Sequence, residues 1–234
     1  HKGGYVSFAV DITDHVHAGK NTIVVNAADD TRSRLIPSGK QSEKYNSYGC
    51  QYTRTTGIWQ TVWLEFVPEN YIKKVKYVTD IEAGTLTIMA ELVGKGTFLA
   101  ETFYKGKPAG AASHISGGGT AVLTVNLQEK HLWEVGNGRL YDLVLKYDRD
   151  VVKSYFGLRS LQLEGRKFLI NGKSVFQRLV LDQGFYPDGI YTAPSDVELE
   201  NDIRRSLAMG FNGARLHEKI FEERFLYYCD LHGY

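Results

Sequence analysis

Four residue groups in this sequence have the types and spacing to do chemistry. Asp182 directly follows the apolar run VFQRLVL, and Arg215, His217 and Glu218 stand together in GARLHE. A carboxylate at the end of a strand can accept hydrogen bonds from ligand hydroxyls or orient a neighbouring guanidinium; its other role is to cap the bend of the Asp182-Gln183-Gly184 turn. The planar guanidinium of Arg215 can hold a carboxylate in its ionised form or close a surface ion pair. His217 is open to two roles, a ligand contact or a solvated imidazole. The run Phe185-Tyr186-Pro187-Asp188-Gly189-Ile190-Tyr191 places Tyr186 and Tyr191 in a Pro/Gly loop, where exposed rings could line a binding subsite. Gln51 and Arg54 lie in a long polar stretch, ADDTRSRLIPSGKQSEKYNSYGCQYTRTTG, which is longer than a compact domain usually leaves without a purpose. Arg54 is expected to hold that loop on the sheet beneath it. GKQSEK and GGGTAV match neither phosphate-loop pattern, so nucleotide chemistry is set aside.

Composition narrows the partners. The 234 residues are 43% hydrophobic and 24% charged with a net charge of +1, enough for a real core and without the basic footprint of a nucleic-acid or anionic-membrane binder. A neutral partner fits better. No apolar run approaches the roughly 20 residues needed to span a bilayer. The opening HKGGYVSF has neither an initiator Met nor a signal-peptide profile, which predicts that the true N-terminus lies upstream. Cys50 and Cys229 fit no zinc spacing and are expected to be free thiols, which leaves the compartment open.

The elements that would position these residues change character along the chain. The first two-thirds alternates apolar and polar residues between Gly, Asn and Asp turns, the pattern of short strands with one buried face. Val6, Phe8, Val10 and Ile12 form one such series, and Ile58, Val62, Leu64 and Phe66 another. Trp59, Trp63 and Trp133 are expected to be core aromatics. Pro68 marks a boundary, after which six or seven strand patterns in about a hundred residues predict an immunoglobulin-like sandwich. Beyond Glu164, FLINGKSVF predicts a hairpin turning at Asn171-Gly172, and VFQRLVL a strand buried on both faces. Ser195 with Glu198 opens a helix that carries Leu199, Ile203 and Leu207 and stops at Gly210. FNGARL then gives a short strand, and EERFLYYCDLHG a second helix with Phe221, Phe225 and Cys229 on one stripe. Strand, helix, strand, helix predicts a parallel α/β unit.

Three stretches together resemble the family 2 glycoside hydrolases of the β-galactosidase and β-glucuronidase type. HKGGYVSFAVDIT and TRTTGIWQTVWLEFVP resemble parts of the family's jelly-roll sugar-binding domain. LYDLVLKY followed by FGLRSLQLEGRKFLINGKSVFQRLVLDQG resembles the passage from its immunoglobulin-like domain into the catalytic barrel. DIRRSLAMGFNGARLHEKIFEERFLYYCDLHGY looks like the first helix, second strand and second helix of that barrel. The resemblance implies a mainly β fold: a partial jelly roll over residues 1–68, an immunoglobulin-like β-sandwich over 69–163, and the first βα units of a TIM (β/α)8 barrel over 164–234. It implies hydrolysis of β-glycosides with retention, by an acid/base and a nucleophilic glutamate from later barrel strands. This chain has no Asn-Glu dipeptide, so both glutamates are expected to lie beyond it. No cofactor is implied, and the partner is a carbohydrate; a homo-oligomeric parent is left open.

Ligands of such barrels sit at the C-terminal ends of the strands, which makes Asp182, Arg215, His217 and Tyr186 the substrate-binding candidates. Arg215 matches an Arg that the family places beside its nucleophile. Where many relatives have Asn and His, this sequence reads Leu181-Asp182-Gln183. Gln51, in the loop that the family extends toward the barrel mouth, stands where some relatives have Asp, and is taken as a substrate contact. The alternative, from a different class, is a non-catalytic carbohydrate-binding or structural β-sandwich module.

Overall fold

The computed structural model describes residues 1–33 and 35–234. Alternation in the sequence becomes layered packing between residues 71 and 157. Seven strands run Tyr71–Asp80 (β1), Thr85–Val93 (β2), Gly96–Tyr104 (β3), Lys107–Ser116 (β4), Gly119–Asn126 (β5), Leu140–Tyr147 (β6) and Asp150–Gly157 (β7). They form two antiparallel sheets of order β1-β2-β5 and β4-β3-β6-β7, facing one another as a sandwich. In β2 every second residue, Leu86, Ile88, Ala90 and Leu92, is buried, and Leu86 and Ile88 pair in register with Val125 and Leu123 of β5. From the other sheet β6 supplies Tyr141, Leu143, Leu145 and Tyr147 to the same core. The two core tyrosines satisfy their hydroxyls at the sandwich rim. Tyr141 donates to the Glu129 carbonyl at 2.7 Å and accepts from the His131 N–H at 2.8 Å, while Tyr147 donates to the Gly94 carbonyl at 2.8 Å.

A three-stranded meander follows, Leu161–Glu164 (β8), Lys167–Ile170 (β9) and Lys173–Ser174 (β10). Its last turn is the expected one: Asn171 and Gly172 take φ of 51° and 73°, the positive pair that a tight hairpin needs. The Asn171 side chain also accepts from the Ser160 N–H and donates to the Trp133 carbonyl, tying the hairpin to the sandwich.

The last segment is the expected βαβα unit: Leu179–Asp182 (β11), Asp196–Ala208 (α1), Gly213–Leu216 (β12) and Glu223–His232 (α2), with β11 and β12 parallel. Ser195 caps α1 by accepting from the Glu198 N–H, and Gly210, at φ of 90°, follows its end. Leu199 and Ile203 of α1 pack on Phe221 and Phe225. Phe221 precedes α2, so the anticipated stripe starts two residues before the helix. The unit leans on the sandwich through Asp230 of α2. Its carboxylate accepts from Arg159 at 2.8 Å and from Tyr155 at 3.2 Å, and its carbonyl accepts from Trp133 Nε1 at 2.6 Å. No helix among the described residues is long and apolar enough to cross a membrane.

Three expectations fail, for one physical reason. Among the described residues before Tyr71 there is a single 3-10 turn at Thr13–His15 and no strand, and of the alternating apolar residues there all but the half-buried Ile12 are exposed, from Ile58 at 48% to Phe66 at 94%. A strand needs a neighbour to take its backbone hydrogen bonds and a facing layer to cover its apolar side, and this stretch finds neither. Trp63 is exposed with it and donates to Glu65, while Trp133 is buried as expected and Trp59 is half-buried elsewhere. VFQRLVL, expected to be buried on both faces, yields β11 with β12 as its single neighbour among the described residues, and Leu179 and Leu181 stay exposed.

Candidate functional site

Parallel pairing of β11 with β12 brings the chain's polar strand-end residues to one edge. Leu181 pairs with Arg215 and Asp182 with Leu216, and the His217 N–H continues the ladder to the Asp182 carbonyl at 2.8 Å. Asp182 turns its carboxylate back onto its own bend, accepting from the Gly184 N–H at 2.8 Å. Burial raises its pKa above the ordinary carboxylate value; the Gly184 N–H opposes the shift, the nearby Asp202 charge adds to it, Lys219 opposes it and Glu222 adds again. Asp182 is thus both the cap of its bend and a carboxyl biased toward its protonated form.

A polar chain runs beside it. Tyr52 donates its hydroxyl to Gln183 Oε1 at 2.6 Å, and the Gln183 amide lies 3.0 Å from His217 Nδ1. An amide N–H must donate, so Nδ1 accepts and the imidazole proton sits on Nε2, which faces Glu218 at 3.4 Å. Glu218 reaches Lys40 at 3.8 Å. His217 is therefore oriented by partners on both nitrogens, and the loop residue that joins it through Gln183 is Tyr52. Its neighbour Gln51 is half-buried with its amide 3.3 Å from the Lys40 and Gln41 carbonyls. Arg54 donates to the Glu43 carbonyl within the same loop and not to a sheet beneath it, since no strand forms among the described residues before Tyr71.

The tyrosines of the 185–191 loop are not the free rings that the sequence suggests. Tyr191 is 2% exposed, its ring 4.7 Å from Trp59 and its hydroxyl donating to Tyr5. Tyr186 donates to Asp202 of α1 at 2.8 Å and packs in the helical cluster. Burial raises the pKa of both phenols, helped for Tyr186 by Asp202 and for Tyr191 by Tyr5. Only Phe185, stacked on Tyr52 at 4.3 Å, faces the polar chain. Arg215 is exposed beside Leu181, with no carboxylate within ion-pairing distance among the described residues.

Sequence reasoning missed Lys219. Its side chain is fully buried, and its ammonium donates to the Gly184 carbonyl at 2.7 Å and the Tyr191 carbonyl at 2.8 Å. It lies 4.6 to 5.0 Å from the ring centres of Tyr191, Trp59 and Phe221, with Glu222 at 3.8 Å. Burial lowers its pKa, opposed by the charges of Glu222 and Asp182. The available signal was a lysine in LHEKIF two residues before Phe221, which packs inward. Gly184 is required by this packing: its φ is 64°, and a Cβ there would stand 2.7 to 2.9 Å from the Phe221 ring and the Lys219 side chain.

No family model matches the chain. Among curated proteins it is similar to a putative β-glucuronidase of Formosa agariphila, 26% identical over an alignment of 240 positions that covers 92% of this chain and 27% of that protein. A β-galactosidase of Thermoanaerobacter pseudethanolicus is 24% identical over an alignment of 249 positions that covers 98% of this chain and 32% of that one. A β-glucuronidase of Mus musculus is 24% identical, with 100% of this chain and 39% of that protein covered. The chain thus spans roughly a quarter to two-fifths of the length of these relatives. The crystal structure of a Ruminococcus gnavus β-glucuronidase superposes on 72% of this chain and 29% of its own with a TM-score of 0.60 at 19% identity, a likeness of fold. The chain is related in sequence to glycoside hydrolases and shares the fold of part of one.

Proposed function

We propose that these 234 residues are the part of a retaining β-glycosidase of the family 2 type that joins its non-catalytic domains to its catalytic barrel. In this reading residues 1–68 belong to a jelly-roll domain, 69–163 are the immunoglobulin-like domain, and 164–234 begin the (β/α)8 barrel. The observation that carries it is the convergence of Asp182, Gln183 and His217 at the C-terminal ends of two parallel strands, where barrels bind their ligands. Likeness to β-glucuronidases and a β-galactosidase along 92% or more of the chain supports it.

Retaining hydrolysis needs two carboxyl groups about 5 Å apart on opposite sides of the scissile bond. These are supplied by later strands, outside this sequence. The residues at hand bind and orient a carbohydrate. Asp182 and His217 exchange hydrogen bonds with sugar hydroxyls, Tyr186 supports the loop behind them, and Gln51 holds the segment that carries Tyr52. Arg215, on the exposed face that a closed barrel turns inward, keeps the nucleophilic carboxylate ionised. No cofactor takes part.

The test is to express the chain with its encoded continuation and assay aryl β-glucuronide, β-galactoside, β-glucoside and β-mannoside hydrolysis. Hydrolysis of one of them is expected, with kcat lowered by about 10²-fold in Arg215→Ala, the scale for loss of one charge-stabilising group. Hydrolysis of none, or an unchanged kcat, refutes the respective assignment.

A further inference from the structure

Lys219 is the most deeply buried charge that the substrate-binding roles above leave unused, and its contacts join three separate parts of the chain. We propose that it is a positioning residue: its ammonium latches the Gly184–Tyr191 loop and the Trp59 segment over the ends of β11 and β12, and so sets the shape of the substrate mouth.

The geometry is that of a three-way clamp. Two carbonyls at the two ends of one loop, Gly184 and Tyr191, converge on a single nitrogen at 2.7 and 2.8 Å. Among the described residues no other group binds both ends of that loop at once; its internal bonds, between Tyr186 and Ile190, close only its tip. The same nitrogen lies 5.0 Å from the ring centre of Trp59, and Trp59 is itself held to the loop, its carbonyl accepting from the Thr192 hydroxyl and its ring edge-on to Tyr191. Residues near Trp59 form no strand, so their position over the site depends on these contacts rather than on a sheet.

A buried ammonium is a costly way to join apolar surfaces, because its desolvation must be offset by fixed acceptors. Here two carbonyls and three ring faces provide them, and Glu222 balances the charge from 3.8 Å. Both Glu222 oxygens are sealed from solvent without a hydrogen-bond partner, and among the described residues Lys219 is the cation within ion-pairing distance of them. Gly184 is fitted to the same purpose, since any side chain there would strike the lysine. An apolar residue at 219 could fill the space but could not bind either carbonyl.

The latch follows from the contacts alone; its effect on substrate rests on the glycosidase reading above. Two measurements separate them. Amide hydrogen exchange on the 234-residue chain compares wild type, Lys219→Met and the double variant Lys219→Met/Glu222→Gln, which avoids leaving a buried carboxylate alone if the single variant folds poorly. Exchange at residues 184–192 is expected to rise about tenfold or more, the equivalent of losing one charge-assisted hydrogen bond, while β2 and β6 keep their protection. Unchanged exchange in that loop, or an equal rise throughout the chain, overturns the latch. In the complete enzyme, Lys219→Met is expected to raise KM for the aryl glycoside about tenfold with kcat within about threefold of wild type, the mark of lost substrate binding rather than lost chemistry. A fall in kcat at constant KM overturns the effect on the mouth. An inactive wild-type enzyme would refute the glycosidase reading and with it that effect, leaving the exchange result to decide the latch.

Discussion

Asp230→Ala measures how strongly the C-terminal βαβα unit is coupled to the sandwich. The Asp230 carboxylate is the shared acceptor for Arg159 at 2.8 Å and Tyr155 at 3.2 Å, with about a quarter to a third of the charged side chains exposed. Partial exposure limits the ion pair to about 1 kcal/mol, since solvent screens it. Loss of the acceptor also leaves the half-buried Tyr155 hydroxyl without its partner, worth about 1 kcal/mol. Arg159 stays stacked 4.4 Å from the Trp133 ring, and the Asp230 carbonyl still accepts from Trp133, so neither of those contributions is lost. Removal of the carboxylate should therefore cost about 2 kcal/mol. Urea unfolding followed by tryptophan fluorescence reads this directly, because Trp133 sits at the junction. A double-mutant cycle with Arg159→Met and Tyr155→Phe should return coupling energies of about 1 kcal/mol each. A loss below about 0.5 kcal/mol in Asp230→Ala, or coupling energies near zero, would mean that the two units merely touch at Asp230.

Three further outcomes are expected. Because burial raises the pKa of Asp182, the folded state holds its proton to higher pH than the unfolded state does. Its stabilisation is then complete below the unfolded value of 3.8 and is lost as pH rises through the raised folded value. Urea midpoints of wild type and Asp182→Asn across that window should diverge, wild type losing ground with rising pH, and parallel curves would contradict the shift. Gly184→Ala should lose about 2 kcal/mol or more, from positive φ and from the clash with Phe221 and Lys219, by the same unfolding assay. Tyr141→Phe should cost about 1 to 2 kcal/mol, since its hydroxyl serves both the Glu129 carbonyl and the His131 N–H, and a smaller loss would mean that water replaces it.

Local patterns carried much of this protein in the sequence. Alternation between turn residues predicted six or seven strands after Pro68, and seven form between Tyr71 and Gly157, where a period of two buries every second residue of β2 and β6. Asn171-Gly172 specified its turn, and Ser195 and Gly210 the limits of α1, because these depend on backbone chemistry a few residues long. The strand-end position of Asp182 and His217 was legible for the same reason. What the sequence could not convey is which alternating stretches find neighbours. Val6, Phe8 and Val10, and Ile58 to Phe66, have the same pattern as β2 and stay exposed, because a ladder and a facing layer are properties of the assembled fold. Tertiary structure also decided that Tyr52 rather than Gln51 reaches Gln183, that Tyr191 is covered, and that Lys219 is buried. Each results from contacts between segments more than 25 residues apart, where the energy of a charge or a ring depends on what the fold places around it.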